Sequence, residues 1–360
     1  MLKRKTILVA PLHWGLGHAT RCIPIIEALL TYDFNVLIGS DGAALALLRK
    51  EFPALESIEL PAYDITYPEK GNWFAMKLLT QFPHIKKVIG SEENLVAKLV
   101  AQGRIDGIIS DNRLGVYHMK VPSVYITHQL QVLSGKTTRI STSLHQRIIK
   151  KFDACWVPDA AGSINLSGKL GHPKLLSFEV HYLGPLSRFT SERKSASLEK
   201  KYDVLILLSG PEPQRGMLEK QMMETFKDDD RDILLVRGVV ENQQNYEVIN
   251  GIICVNYLQS TALKEAILTS DLVVSRSGYT SIMDLASLNK AAFFIPTPGQ
   301  YEQKYLAKRL KDLGMVASCK QGNFRKEKLR KVPMYAGLPK FEMKPDYKNL
   351  FSLFHGERKL

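Results

Sequence analysis

The sequence predicts an α/β protein built from two parallel-sheet domains, on three observations. Short apolar runs alternate with segments of helical period, the pattern of strands covered by helices. At 360 residues the chain exceeds an ordinary single domain. The alternation breaks at Tyr182-Leu183-Gly184-Pro185-Leu186-Ser187, continues as a polar run, and restarts at Val204.

Residues Thr6 to Ala10 are the first predicted strand, and Pro11 to Thr20 a glycine-rich loop, PLHWGLGHAT. Arg21 to Leu30 follows as a helix with Ile23, Ile26, Leu29 and Leu30 on its inner side. Phe34–Gly39 and Leu55–Leu60 are strands flanking a helix over Ala43–Glu51. Trp73–Ile89, interrupted near Pro83, and Asn94–Gln102 are separate helices. Gly107–Ile109, Ser123–Thr127 and Ala154–Val157 complete the strands of the first half, with His128–Gln146 a polar loop and helix start. In the second half the strands are Val204–Leu208, Ile233–Val236, Ile252–Val255, Leu272–Val274 and Ala291–Ile295, with helices at Tyr279–Ser287 and Tyr301–Lys311. The expected division is a first domain over 1–185, a linker over 186–201, a second domain over 202–335 and a tail over 336–360. Asp346–Phe354 is a short last helix.

Composition narrows the class. The chain is 45% hydrophobic and 24% charged, as expected of a globular protein, and no apolar run reaches the roughly 18 residues of a membrane span. The basic, then apolar, N-terminus lacks a small-residue cleavage site and is expected to be a strand. Cys22, Cys155, Cys254 and Cys319 are far apart, which fits a reducing cytoplasm and argues against a disulfide scaffold or a cysteine-rich zinc site. The net charge of +13 favours anionic partners: a phosphorylated substrate or an anionic membrane face. No nucleic-acid-binding motif is visible. The D-x-D within Asp228–Asp232 precedes a strand as a polar turn, so no metal site is expected.

Candidate chemistry lies in loops that follow strands. Gly15-Leu16-Gly17-His18 carries G-x-G without the third glycine of a dinucleotide fingerprint, so Asp41 is not expected to hold a nicotinamide ribose. His18 opens a helix, where an imidazole tends to be neutral and able to take a proton. It is either a surface histidine or a base. Asp111 and His128 each follow a predicted strand, at the edge where a general base belongs, and each is equally a turn residue. Ser277-Gly278, between a strand and a helix, is either an ordinary βα turn with Asp284 a surface acid, or an anion site with Asp284 further along that helix to accept from a ribose.

Arg276-Ser277-Gly278, Asp284-Leu285-Ala286, Ile295-Pro296 and Gln300–Tyr305, in this order and spacing, resemble the donor-binding region of the two-domain B-fold glycosyltransferases, especially those acting on lipid-linked cell-wall precursors. The resemblance implies two Rossmann-like domains facing a cleft, the donor held by the second and the acceptor by the first, with the tail crossing back. It implies donor contacts at Gly17, Ser209, Gly210, Arg215, Leu258, Arg276, Ser277, Gly278, Tyr279, Asp284, Gln300 and Gln303. His18, Asp111 and His128 are the candidate catalytic residues. Asp284 stands where the family usually has glutamate, and Lys304 where it has a second glutamine. Gly17–Cys22 also resembles the G-H-x-x-R-C loop of nucleotide-sugar hydrolases on the same fold. The expected activity is therefore transfer of a sugar from a nucleotide-sugar donor, UDP-linked by analogy, without metal or cofactor and with inversion. A lipid or lipid-linked sugar is the acceptor class weighed. Hydrolysis at His18 and non-catalytic nucleotide-sugar binding are the alternatives. The protein is expected to be cytoplasmic, and a mixed aromatic and lysine segment, Trp73–Lys87, with Arg139, Arg147, Lys150 and Lys151, either packs its apolar residues on the sheet with the lysines solvated or lies on an anionic membrane face.

Overall fold

The computed structural model describes residues 4–64, 82–189, 199–341 and 345–356. It contains two seven-stranded sheets. The first is built from β1 (Thr6–Pro11), β2 (Asn35–Ser40), β3 (Ser57–Glu59), β4 (Gly107–Asp111), β5 (Ser123–Ile126), β6 (Ala154–Val157) and β7 (His181–Tyr182), in the order β3-β2-β1-β4-β5-β6-β7. All its pairings are parallel, and the central strands are apolar and buried on both faces because helices cover both. Those helices are α1 (Gly17–Thr31), α2 (Gly42–Glu51), α3 (Phe82–Ala101) and α4 (Thr138–Ile149).

The second sheet runs β10-β11-β9-β8-β12-β13-β14, from β8 (Tyr202–Leu207), β9 (Ile233–Val236), β10 (Tyr246–Ile249), β11 (Ile252–Val255), β12 (Ser270–Ser275), β13 (Ala292–Phe294) and β14 (Ala317–Ser318). Only β10 is antiparallel, a hairpin partner of β11 turned by Asn250 and Gly251, both at positive φ. Its helices are α5 (Gln214–Thr225), α6 (Ser260–Leu268), α7 (Tyr279–Ser287) and α8 (Tyr301–Asp312).

In each sheet the strand order reverses once, between β1 and β4 and between β8 and β12. Loops leaving the strand ends there diverge to opposite faces and open a crevice, the usual binding place in such sheets. The two crevices meet: the Thr280 hydroxyl of α7 donates to Gly17 O at the start of α1 across 3.0 Å. The cores interlock as well. Leu166 and Leu170 pack with the second core, whereas Phe351 of α9 (Tyr347–Phe351) and Phe354 pack in the first.

Three local expectations change. Helix α1 begins at Gly17, so His18 lies within its first turn. A single helix, α3, spans Phe82–Ala101, with Pro83 in its first turn, where its missing N–H is harmless. The segment Trp73–Gln81 of the basic aromatic stretch lies outside the described residues. His128–Gln146 contains most of a regular helix, α4.

Candidate active site

Three adjacent strands of the first sheet supply the candidate catalytic groups. Asp111 ends β4 in register with Pro11 at the end of β1. His18 lies beyond β1, and His128 two residues beyond β5. Arg21, one turn along α1 from His18, joins them. Its Nε donates to Asp111 Oδ2 at 2.5 Å, its Nη2 donates to Asp111 Oδ1, and its Nη1 donates to His128 Nδ1 at 3.1 Å. His18 Nδ1 is 2.8 Å from Asp111 Oδ1 and 2.8 Å from Arg21 Nη2.

Burial sets the charge states. Asp111 is fully buried, which raises a carboxyl pKa, but Arg21 and His18 outweigh burial and hold it well below the carboxylate range. Burial and then Arg21 lower the pKa of His18, against the pull of Asp111. His18 is therefore neutral at pH 7. If its Nδ1–H is donated to Asp111 it presents the Nε2 lone pair, and its side chain keeps 16% exposure. The reading of Asp111 as a base acting directly on an acceptor is corrected: it is sealed behind Arg21 and His18 and can act only through them.

The second domain contributes a residue the sequence reading missed. Glu302, in the first turn of α8, accepts from His128 Nε2 at 2.8 Å and from Gln129 Nε2 at 2.6 Å. Burial would raise its pKa, yet His128, His18 and Arg21 together lower it. His128 also stacks on Tyr279 of α7, the ring centroids 4.2 Å apart and the planes within 10°. An acid in the first turn of a helix leaving a sheet edge was the available signal for Glu302; its partner in the other domain had none.

On the donor side the structure sorts the expected contacts. Ser209 and Gly210 leave β8, with Gly210 at φ 99°. A Cβ on Gly15 would stand 3.7 Å from Gly210 Cα, so the glycine loops of the two domains face each other closely. Gly278 precedes α7 in extended conformation, and Gln300 holds the same position before α8. These leave free helix-start amides at the crevice.

The other expected donor contacts have their side chains engaged within the protein. Arg276 is buried beneath the loops, bonding Ile295 O, Gln321 Oε1 and Gln214 O, and burial lowers its pKa to about 10. It fastens three segments together rather than facing a phosphate. Arg215 is engaged by Glu212 and Glu219, the i,i+3 and i,i+4 spacing that marks a paired helical cation. The Ser277 hydroxyl donates to Gln303 O, and Gln303 Oε1 accepts from Thr297 N. Tyr279 is buried, its hydroxyl donating to Pro158 O, and the Leu258 side chain lies in the second core. Asp284 is buried against the linker, accepting from Ser187 Oγ at 2.7 Å with Arg188 Nε at 3.5 Å. Burial raises its pKa despite Arg188. A ribose would have to displace these partners.

A second histidine-carboxylate pair flanks β1 on its other side. Asp41 bonds Arg113 and lies 3.0 Å from His13 Nδ1, so it is committed within the protein. Asp229 of the D-x-D turn is paired with Arg231 and Lys326. Among the described residues no group of three His, Cys, Asp or Glu could hold a metal ion.

Comparison with known proteins agrees with the fold. Residues 221–336 match the glycosyltransferase family 28 C-terminal domain. An uncharacterized glycosyltransferase of Methanosarcina acetivorans is 22% identical over 309 residues, covering 81% of this chain and 79% of its own. One from Methanosarcina mazei is 20% identical over 315 residues, covering 83% and 82%. Among solved structures, the glycosyltransferase SnogD from Streptomyces nogalater aligns with a TM-score of 0.61 at 13% identity, covering 98% of this chain and 99% of its own. MurG of Acinetobacter baumannii gives 0.54 at 13%, over 98% and 99%. The Streptomyces sp. SF2575 glycosyltransferase SsfS6 complexed with thymidine diphosphate gives 0.56 at 11%, over 88% of each chain.

Proposed function

Taking the chain as a glycosyltransferase of the B fold with a family 28 C-terminal domain, we propose that it transfers a sugar from a nucleoside-diphosphate sugar to a hydroxyl acceptor, with His18 as the base. The observation that carries this is the His18–Asp111 pair at the start of α1, placed where that helix meets α7. Asp111 holds the Nδ1–H tautomer and stabilises the imidazolium, leaving Nε2 to take the acceptor proton as the new bond forms. The helix-start amides near Gly278 and the Ser209–Gly210 loop stabilise the departing diphosphate, the role a cation plays elsewhere. One displacement with one base gives inversion at the anomeric carbon.

UDP is the nucleotide expected by resemblance; SsfS6, a neighbour solved with a nucleotide, holds thymidine diphosphate. Both are pyrimidine nucleoside diphosphates, so the first probes are UDP, TDP and their sugars. On the acceptor side the reading includes a lipid-linked acceptor met at an anionic membrane surface. The test is nucleotide release from UDP- and TDP-sugars in water alone and with hydroxylated acceptors. Release only with an acceptor supports transfer. Equal release in water supports hydrolysis at His18, and binding without turnover supports a sensor.

A further inference from the structure

Glu302 stands on the second domain and His18 on the first, yet an unbroken chain of contacts joins them. Glu302 Oε1 meets His128 Nε2, His128 Nδ1 meets Arg21, and Arg21 meets both Asp111 and His18. We infer that Glu302 and His128 are positioning residues that keep His18 in its base-competent tautomer only while the two domains are together. This rests on the reading of His18 as the base.

The protons in the chain are fixed by donor arithmetic. A guanidinium can only donate, so the contact from Arg21 Nη1 requires His128 Nδ1 to be an acceptor. His128 then carries its proton on Nε2, the nitrogen that faces Glu302. An imidazolium at this place would set an N–H against the Arg21 N–H. Glu302 is thus the acceptor that fixes the His128 tautomer, and Gln129 bonds its second oxygen. The stack on Tyr279, itself anchored to Pro158 O, holds the ring in plane with this chain.

At the other end the same rule leaves a choice. His18 Nδ1 is equally distant from Asp111 Oδ1 and Arg21 Nη2. If Nδ1 donates to Asp111, Nε2 has a lone pair and can accept a proton. If Nδ1 accepts from Arg21, the proton sits on Nε2 and the base is lost. What decides is where the guanidinium points. Drawn by His128 through Nη1, Arg21 lays its Nε and Nη2 edge against both oxygens of Asp111. Without His128 in acceptor form, Nη1 loses that partner and only the Nε and Nη2 edge on Asp111 still holds the guanidinium, so Nη2 can shift its bond toward His18. Separation of the domains removes Glu302 and with it the constraint on His128. A base switched on only in the closed cleft limits loss of the donor to water while the site is open.

The test reads the tautomer directly, without substrate. In protein labelled with 15N-histidine, long-range proton–nitrogen spectra assign the protonated nitrogen of His18, its signals identified by their loss in His18→Gln. Wild type should show His18 protonated on Nδ1, and Glu302→Ala and His128→Ala should shift it toward Nε2. Glu302→Gln, which keeps an oxygen for His128, should restore the wild-type pattern. Nucleotide release by Glu302→Ala should fall about tenfold or more in kcat, the scale of a misplaced base, with UDP affinity within about twofold. An unchanged His18 tautomer in both folded alanine variants overturns the inference, even if donor KM rises, because Glu302 would then act on the donor alone. A wild-type protein with the switchable tautomer but no turnover would instead count against the glycosyltransferase reading and leave the coupling standing.

Discussion

At the scale of single residues the site depends on buried charge that is paired. Arg21 and Asp111 are both shielded from water, and a buried pair is tolerated because each partner satisfies the other. Breaking it should cost about 3–5 kcal/mol, so Asp111→Ala is expected to lower the denaturant midpoint sharply as well as activity. His18 differs: its side chain is partly exposed. His18→Ala should keep the melting temperature within a few degrees while the rate falls about 100-fold, as for a lost general base. Its pH signature follows from the lowered pKa. Protonation removes the base, so kcat/KM should be flat at neutral pH and fall as acidity carries His18 through its folded pKa. That limb belongs below the ordinary imidazole value of 6.5, since burial and Arg21 both disfavour the charged form. A limb at or above 6.5 in the pH–rate profile would remove His18 as the group responsible.

At the scale of elements, the exposed side of α4 stands apart. Ile140 and Leu144, one turn apart, are 65% and 47% exposed, with Arg139 and Arg147 beside them. From Gln131 to Phe152 the sequence has no acidic residue. An apolar stripe flanked by cations suits the boundary of an anionic leaflet. Exposed Lys86 and Lys87 on α3 add to the basic character of the domain. The protein is expected to co-sediment with phosphatidylglycerol vesicles and not with phosphatidylcholine vesicles, and to be partly released by salt. Arg139→Glu with Arg147→Glu should abolish co-sedimentation without changing nucleotide affinity; persistence of binding would exclude α4. The sequence shows α4 only as a polar stretch because much of its surface faces solvent and core period is weak there. The buried strands are legible for the opposite reason: runs such as Ile7–Ala10 or Leu234–Val236 are apolar on both faces. Their ends locate Asp111 and His128 at the strand edges. The short hairpin strand β10 has no such run, being exposed at Tyr246 and Val248.

At the scale of the whole molecule, residues distant in sequence meet, and local pattern is silent about which. Asp284 looks like a ribose ligand until Ser187 and Arg188 of the linker are found on it. Glu302 looks like a helix-start acid until His128 arrives from the other sheet. The tail shows the same dependence in a form that can be measured. After the second domain the chain returns to place Phe351 and Phe354 in the first core, edge-on to Phe34 at 5.7 and 6.2 Å. Lys5 Nζ adds a bond to Phe354 O at 2.8 Å. Room for Phe354 comes from Gly107 of β4, where a Cβ would stand 2.5 Å from its ring. Gly107→Ala should therefore push the tail out, and Phe354→Ala should empty its place at a cost of about 3–5 kcal/mol. All three tryptophans, Trp14, Trp73 and Trp156, precede the second domain, so tryptophan fluorescence, excited selectively over tyrosine, follows the first domain alone. In urea, the fluorescence midpoint of Phe354→Ala should drop well below that of the native protein. UDP affinity, proposed to lie in loops of the second domain, should stay within about twofold at low denaturant, since among the described residues Phe351 and Phe354 pack in the first core. An unchanged fluorescence midpoint would mean that the tail is not part of the first domain's folding unit. A parallel loss of UDP affinity would mean instead that the tail sets how the two domains face each other.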